Sequence, residues 1–446
     1  MLSESDLTPQ QNAAIDRLYE QDETLLIARV GFGKAIVALT AAQALIHDGH
    51  LKRVLVLAPL RVATLTWGPE PDHWAHIHCD VAVACGTPAQ RRAACEDVAS
   101  IVVTNFENVG WILEHYGDTF DGLIIDECTK LKAVGGTAVR KLRNWVKGLA
   151  WRVGMTGTPV AEAGQDLYAQ ALLLDLGKAL GTRKEGFLRT YFYPEDFQQR
   201  RWLPLPGSEK KIAAALDALV FMADDAGYWD ALPPPVDEIM EVELSDYGQD
   251  LYDVMAHHSV VTTDEGVEVV AESAGVQSGK LCQIAAGGLY DNDGKLTFDD
   301  NRKLGPLAAL VDSLDDNVVV VYQYKFELQV LRLMWPGAPV LGDGNKVKPE
   351  LIEQWNAGEH PVLLMHPRSA AHGLNLQYGS HTLIHLSPCW GADPWAQTLG
   401  RLRRRGQKHV VNRYIFMTRG TVEEEIMARL AGKRAAEIEF MDAMAG

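Results

Sequence analysis

Short runs of branched apolar residues recur along this chain, each followed by a polar or amphipathic stretch long enough for a helix. In the first half they are LLIAR (25–29), RVLVLAP (53–59), SIVVTN (100–105), GLIIDE (122–127) and WRVGMTG (151–157). In the second half they are NVVVVYQY (317–324), PVLLMHP (361–367), HTLIHLSP (381–388) and VVNRYIFM (410–417). A run that is apolar at successive positions reads as a strand buried on both faces. Such strands alternating with helices imply a parallel sheet covered on both sides. The pattern occurs twice in 446 residues, a length beyond one ordinary core. The expected fold class is therefore α/β, with two tandem parallel-sheet lobes at 1–195 and 276–446. Between them, 196–275 is expected to form a helical insertion and linker. From about 180 to 275 the composition shifts to FLRTYFYPEDF, the stiff turn LPPPVD (232–237) and the acidic stretch TTDEGVEVVAES.

Composition removes several function classes. No uninterrupted apolar run approaches the roughly 20 residues of a membrane span, so no membrane association is expected. The polar, acidic start MLSESDLTPQQ does not read as a secretory signal, and a cytoplasmic setting is expected, the host cytoplasm if a phage encodes the chain. Six cysteines (Cys79, Cys85, Cys95, Cys128, Cys282, Cys389) form no C-x-x-C pair, which suits reduced thiols better than zinc or a disulfide framework. A net charge of −17 argues against a uniformly basic nucleic-acid binder. It leaves room for a local basic groove: from Arg401 to Arg434, ten Lys/Arg against three Asp/Glu leave +7.

Four short motifs carry candidate chemistry. The loop A-R-V-G-F-G-K-A, Ala28 to Ala35, lies between a predicted strand and a helix. Gly31, Phe32, Gly33, Lys34 and Ala35 are its candidate nucleotide-binding residues, because small residues let backbone N–H groups wrap phosphate and a Lys neutralises it. Alone, G-x-G-K fits an ordinary strand-to-helix turn equally well. Asp126 and Glu127 end an apolar strand, where side chains of a parallel sheet point into the ligand crevice. There Asp126 is placed to hold Mg²⁺ through water and Glu127 to polarise the attacking water; a solvated strand end is the simpler alternative. In GMTGTP (154–159), Thr156 and Thr158 form a hydroxyl-rich strand exit suited to relaying between two sites, or a simple turn. In QTLGRLRRRGQ (397–407), Arg401 and Arg404 are three apart and are expected to share a helical face. They could reach a phosphate as arginine fingers, or merely belong to a basic surface helix.

Taken in order, these motifs resemble the superfamily-two helicase-like ATPases, and within them the compact, phage-like Swi/Snf-type translocases related to the DEAD/DEAH-box proteins. Motif I matches at Gly31, Gly33 and Lys34, motif II at Asp126 and Glu127, and motif III at Thr156–Pro159. Motif V matches SAAHGLNLQ (369–377), and motif VI matches Gln397, Arg401, Arg404, Gly406 and Gln407. LTPQQNAAI looks like the adenine-side glutamine motif, with Gln11 as base reader. APLRVATLTW (58–67) and VVTNFENV (102–109) look like motifs Ia and Ib. The resemblance implies two RecA-like lobes that clamp ATP and Mg²⁺ between motifs I/II and motif VI. Ser369 and Asn375 of motif V would couple the nucleotide to DNA, together with Thr156, Thr158 and Gln397. Double-stranded DNA is the implied partner, tracked by a monomeric motor through phosphate contacts with little sequence preference. A specialised role is left to a protein partner or to the insertion.

The chain departs from that pattern at Ala35, Gly400 and Arg405. Ala35 stands where a Thr or Ser hydroxyl would hold Mg²⁺, so nucleotide binding is expected to survive and hydrolysis to be impaired. Two alternatives stay open: a nucleotide-gated DNA-binding protein without motor activity, and a strand-separating DNA or RNA helicase. His257–His258 are expected on a solvated helix, and Trp67, Trp74 and Trp390 in core packing.

Overall fold

A computed structural model describes residues 2–29, 31–129, 136–157, 165–195, 202–223, 234–342, 349–367, 374–404 and 406–445. The chain divides into two compact units, Met1–Tyr228 with Lys433–Gly446, and Trp229–Gly432. Among the described residues, no helix is long and apolar enough to cross a membrane.

The strands of the first unit are β1 (Glu23–Ile27), β2 (Val54–Ala58), β3 (Val81–Val83), β4 (Ile101–Asn105), β5 (Gly122–Asp126) and β6 (Trp151–Thr156). The short antiparallel pair β7 (Phe192–Pro194) and β8 (Trp202–Pro204) follows, then β9 (Val220–Met222). Seven of them form one parallel sheet in the order β3-β4-β2-β5-β6-β1-β9. Successive residues alternate between two cores: Leu25, Leu55, Leu57, Leu123 and Ile125 on one face, Leu26, Val54, Val56, Ile124 and Val153 on the other. Both faces are dry because helices cover both, as continuous apolar runs require.

The second unit holds β10 (Val236–Val242), the hairpins β11 (Val260–Thr262)/β12 (Glu268–Val270) and β13 (Gly288–Tyr290)/β14 (Leu296–Asp299), then β15 (Val318–Val321) and β16 (Val340–Leu341). It ends with β17 (Val362–Met365), β18 (Thr382–His385) and β19 (Asn412–Thr418). Six form a parallel sheet in the order β10-β19-β18-β15-β17-β16. Val318, Val320 and Ile384 face one core; Val319, Val321 and Leu383 face the other. The fold is thus α/β with two RecA-like parallel-sheet lobes.

The stretch 196–275 is not helical alone. The helix Ser208–Leu216 buries Ile212 and Leu216 in a core of the first unit, and β9 extends that sheet beside β1. β10 pairs with β19 in the second. Both are edge strands: β9 is only three residues long, and β10 is largely exposed and mixed in composition, so no continuous apolar run announces β10.

Candidate functional site

In the first sheet β6 lies between β5 and β1, with Asp126 opposite Met155 and Ile27 opposite Thr156. The C-terminal ends of three parallel strands therefore deliver Asp126–Glu127, Thr156 and the loop after β1 side by side. That is where open α/β sheets bind ligands.

The loop after β1 turns into the helix Lys34–His47 through Gly31 (φ 94°) and Gly33 (φ 87°), a region that L side chains avoid. At Gly33 a Cβ would also stand 2.6 Å from Gln11 Nε2. The N-cap is Gly33, which has no side chain to cap the helix, and a helix N-terminus orients its first N–H groups for an anion. Lys34 Nζ donates to Ala28 O at 2.8 Å and Arg29 O at 3.2 Å, folding the ammonium onto its own loop. Ala35, half-buried in the first turn, packs its methyl against the core.

Gln11 is buried in the first turn of the helix Pro9–Glu20. Its Oε1 accepts from Thr8 N at 2.8 Å while its own N–H donates to Thr8 Oγ1 at 3.2 Å. Its Nε2 donates to Phe32 O at 2.7 Å. One amide thus ties a capping box to the phosphate-type loop.

The acids are held by neutral donors. Trp67 Nε1 donates to Asp126 Oδ2 at 2.8 Å. Thr129 Oγ1 and Thr156 Oγ1 donate to Glu127 Oε1 at 2.8 and 2.9 Å. Glu127 adopts φ 59°, an uncommon conformation for a residue other than glycine. Desolvation raises both carboxyls above their ordinary range, and the Lys34 charge pulls both back. Lys34 therefore acts electrostatically on both carboxyls. Among the described residues no three His, Cys, Asp or Glu side chains gather as a metal site. Magnesium needs no such cluster, since it is bound by one or two carboxylates, phosphate oxygens and water. The desolvated Asp126 carboxylate suits it. Thr158 lies outside the described residues.

In the second unit the helix Ala392–Leu402 buries Gln397 and Arg401. Arg401 is 4% exposed and its buried Nε has no hydrogen-bond partner among the described residues. Burial, then the neighbouring Arg404 charge, pushes its guanidinium down to about 9. A buried cation in that state is stabilised by an incoming anion. A basic surface helix is therefore the wrong description of Arg401.

The expectation that Arg401 and Arg404 share a helical face needs correction. The helix stops at Leu402, and Arg404 lies beyond it in a turn where Gln407 N donates to Arg404 O at 3.0 Å. Gly406 (φ 96°) ends that turn's room for a side chain, since a Cβ there would meet Tyr378 Oη at 2.6 Å. Gln407, matched in the sequence but given no role, anchors the turn. Its Nε2 is within donating distance of Gln377 O (3.1 Å), Ser380 O (3.0 Å) and Leu402 O (3.3 Å), and its Oε1 accepts from Lys408 N and His409 N. Arg404 Nη1 donates to Leu374 O at 3.2 Å. The neighbouring Asn375 is exposed, its carbonyl accepting from Asn356 Nδ2 at 2.8 Å. Motifs V and VI are thereby stitched together. Ser369 and Arg405 lie outside the described residues.

Trp67 was expected to serve packing alone. A fully buried indole must find an acceptor for its N–H, and both the burial of Trp67 and its approach to Asp126 are set by the tertiary structure.

A DEAD/DEAH box helicase family model matches residues 8–164. Putative protein p41 of Acyrthosiphon pisum secondary endosymbiont phage 1 is similar at 31% identity over 98% of this chain and 98% of its own length. An uncharacterized ATP-dependent helicase of Bacillus subtilis (strain 168), YqhH, is 22% identical over 92% of this chain and 75% of its own. Among solved structures, the Sulfolobus solfataricus SWI2/SNF2 ATPase core in complex with dsDNA aligns with a TM-score of 0.44 at 19% identity, covering 96% of this chain and 91% of that one.

Proposed function

Since the chain belongs to the superfamily-two, Swi/Snf-type helicase-like ATPases, we propose that it is an ATP-driven motor on double-stranded DNA whose hydrolysis is slowed by Ala35. The observation that carries the reading is the strand order, which sets Asp126–Glu127 and Thr156 at neighbouring strand ends beside the loop that bears Lys34.

The backbone N–H groups of the Gly31–Gly33 turn and of the following helix receive the phosphates. Lys34 exchanges its bonds to Ala28 O and Arg29 O for phosphate oxygens. Gln11 holds the loop through Phe32 O and reads the base edge. Asp126 would hold Mg²⁺, and Glu127, aimed by Thr129 and Thr156, orients and deprotonates water. When bound, Mg²⁺ neutralises charge on the transferring phosphoryl group. Arg401 and Arg404 supply further positive charge to the terminal phosphate. The Arg404 turn, tied by Gln407 to the segment around Asn375, links that event to the nucleic-acid contacts of motif V. Thr158, Ser369 and Gln397 belong to the same coupling.

Ala35 removes a direct metal ligand while leaving the cradle and Lys34 in place. Disturbing even the outer shell of a metal site costs ~10–100-fold. Ala35→Thr should therefore raise steady-state phosphate release at least ~10-fold, assayed with no nucleic acid, duplex DNA, single-stranded DNA and RNA. Equal rates in the two chains discard the impaired-hydrolysis reading. Ala35 also favours a second reading, a nucleotide-gated DNA-binding protein without motor activity. DNA binding with no stimulated hydrolysis in either chain would select it. Strand separation at a fork, in place of triplex displacement on duplex, would select a true helicase.

A further inference from the structure

Trp67 is fully buried and closes a π-helical turn, Ala63–Trp67. Such turns are rare and recur at functional sites. Of the other buried indoles, Trp151 and Trp355 spend their N–H on backbone carbonyls, Leu18 O and Leu376 O, and Trp74 donates to the Glu70 carboxylate four residues before it, at 3.2 Å. Trp67 gives its only polar atom to the Asp126 carboxylate. A hydrogen bond to an ionised acceptor is shorter and stronger than a neutral one and fixes the acceptor's orientation. The ring is packed in the same core cluster as Val56, Ala58 and Ile124, so it has no freedom to follow Asp126 if the carboxylate turns.

We propose that Trp67 is a positioning residue for Asp126: a rigid indole donor that fixes the carboxylate so that its remaining lone pairs stay available to the shell of the nucleotide's magnesium. The inference deepens the reading of Asp126 as the magnesium-holding acid and rests on it. A carboxylate offers about four lone-pair sites, so one indole bond orients it without exhausting it. The π turn explains how the sequence delivers the donor: it ends at Trp67 and places the indole where its N–H meets the end of β5.

The test uses the full chain and a fluorescent, non-hydrolysable ATP analogue, its affinity measured with Mg²⁺ and with EDTA. Trp67→Phe keeps a packed ring and removes the donor. The gain in affinity brought by Mg²⁺ should shrink about 10-fold, while affinity in EDTA stays as in the unsubstituted chain. An undiminished gain, or an equal loss with and without metal, overturns the proposal, the latter because it marks a purely structural role. Asp126→Asn separates this inference from the reading beneath it. If that variant loses the gain and Trp67→Phe keeps it, the indole's role falls and Asp126 stands. If Asp126→Asn keeps the gain, Asp126 does not hold the metal and both fall. Should Trp67→Phe not fold, the unsubstituted chain labelled with [¹⁵N]tryptophan serves. Mn²⁺ with the analogue must broaden a solvent-protected indole N–H among the eleven tryptophans; no broadening overturns the proposal.

Discussion

In the first unit the carboxylates of Asp126 and Glu127 are held by an indole and two hydroxyls, and no cation among the described residues donates a hydrogen bond to either. In the second unit a buried carboxylate is treated differently. Glu423 accepts from Lys303 Nζ at 2.8 and 2.9 Å and from Thr418 N at 2.7 Å. Lys303 also reaches Ser387 Oγ at 3.3 Å, which donates to Glu327 Oε1 at 2.6 Å. Glu327 Oε2 completes the network by accepting from Gln323 N and Tyr324 N at 2.6 and 2.8 Å. One network holds its cation in direct contact, and in the other the donors to the acids are neutral. Arg401 is opposite in sign, a buried guanidinium whose Nε has no partner among the described residues. Charges that serve the fold are satisfied within the fold; charges that serve a ligand are oriented and left unbalanced.

The widest separation between the two kinds should come from Arg401→Leu. Phosphate release should fall by about 10³-fold or more, while the urea midpoint holds or rises, because an uncompensated buried cation has been removed. A drop in stability comparable to that of a buried ion pair would put Arg401 in the structural class and break the comparison.

Lys303→Met should behave in the reverse way. It leaves Glu423 buried without its cation, and a broken buried pair costs about 3–5 kcal/mol, read by urea unfolding. Burial already raises the Glu423 carboxyl, and Lys303 pulls it back. Without Lys303 the rise grows. The variant's stability should then be fullest in acid, where the group is neutral, and be lost as pH climbs from the ordinary glutamate value of ~4.3 through the raised one. A deficit independent of pH would show that the pair's charge is not what matters.

The smallest effect is expected for Thr156→Val, which removes one of two hydroxyl donors to Glu127 at nearly constant volume. About 1 kcal/mol should be lost, with hydrolysis falling further than stability accounts for. Unchanged hydrolysis would show that Glu127 needs no aiming from β6.

The nine apolar runs read in the sequence all became strands, because a strand buried on both faces must be apolar at successive positions and that pattern is written locally. The edges were not legible: β3, β9 and β16 are two or three residues long, and β10 (VDEIMEV) is largely exposed and acidic. Arg401 and Arg404 were legible as a pair but not as a helical pair, since the helix ends at Leu402 through the turn closed by Gln407 and Gly406. Gln407's role was invisible because each of its carbonyl partners is a backbone group, which carries no side-chain signature.

By itself, then, the sequence determined the two parallel sheets, the glycine turn at Gly31–Gly33 and the order of Lys34, Asp126–Glu127, Thr156 and Arg401, because hydrophobic periodicity and backbone conformational limits act over a few residues. Only the tertiary structure decided that Trp67 holds Asp126, that Thr156 holds Glu127, and that Lys303 answers Glu423 while the Arg401 Nε meets no partner among the described residues. Those pairings are fixed by strand order and burial, which bring together residues from distant parts of the chain and set how much water each charge keeps.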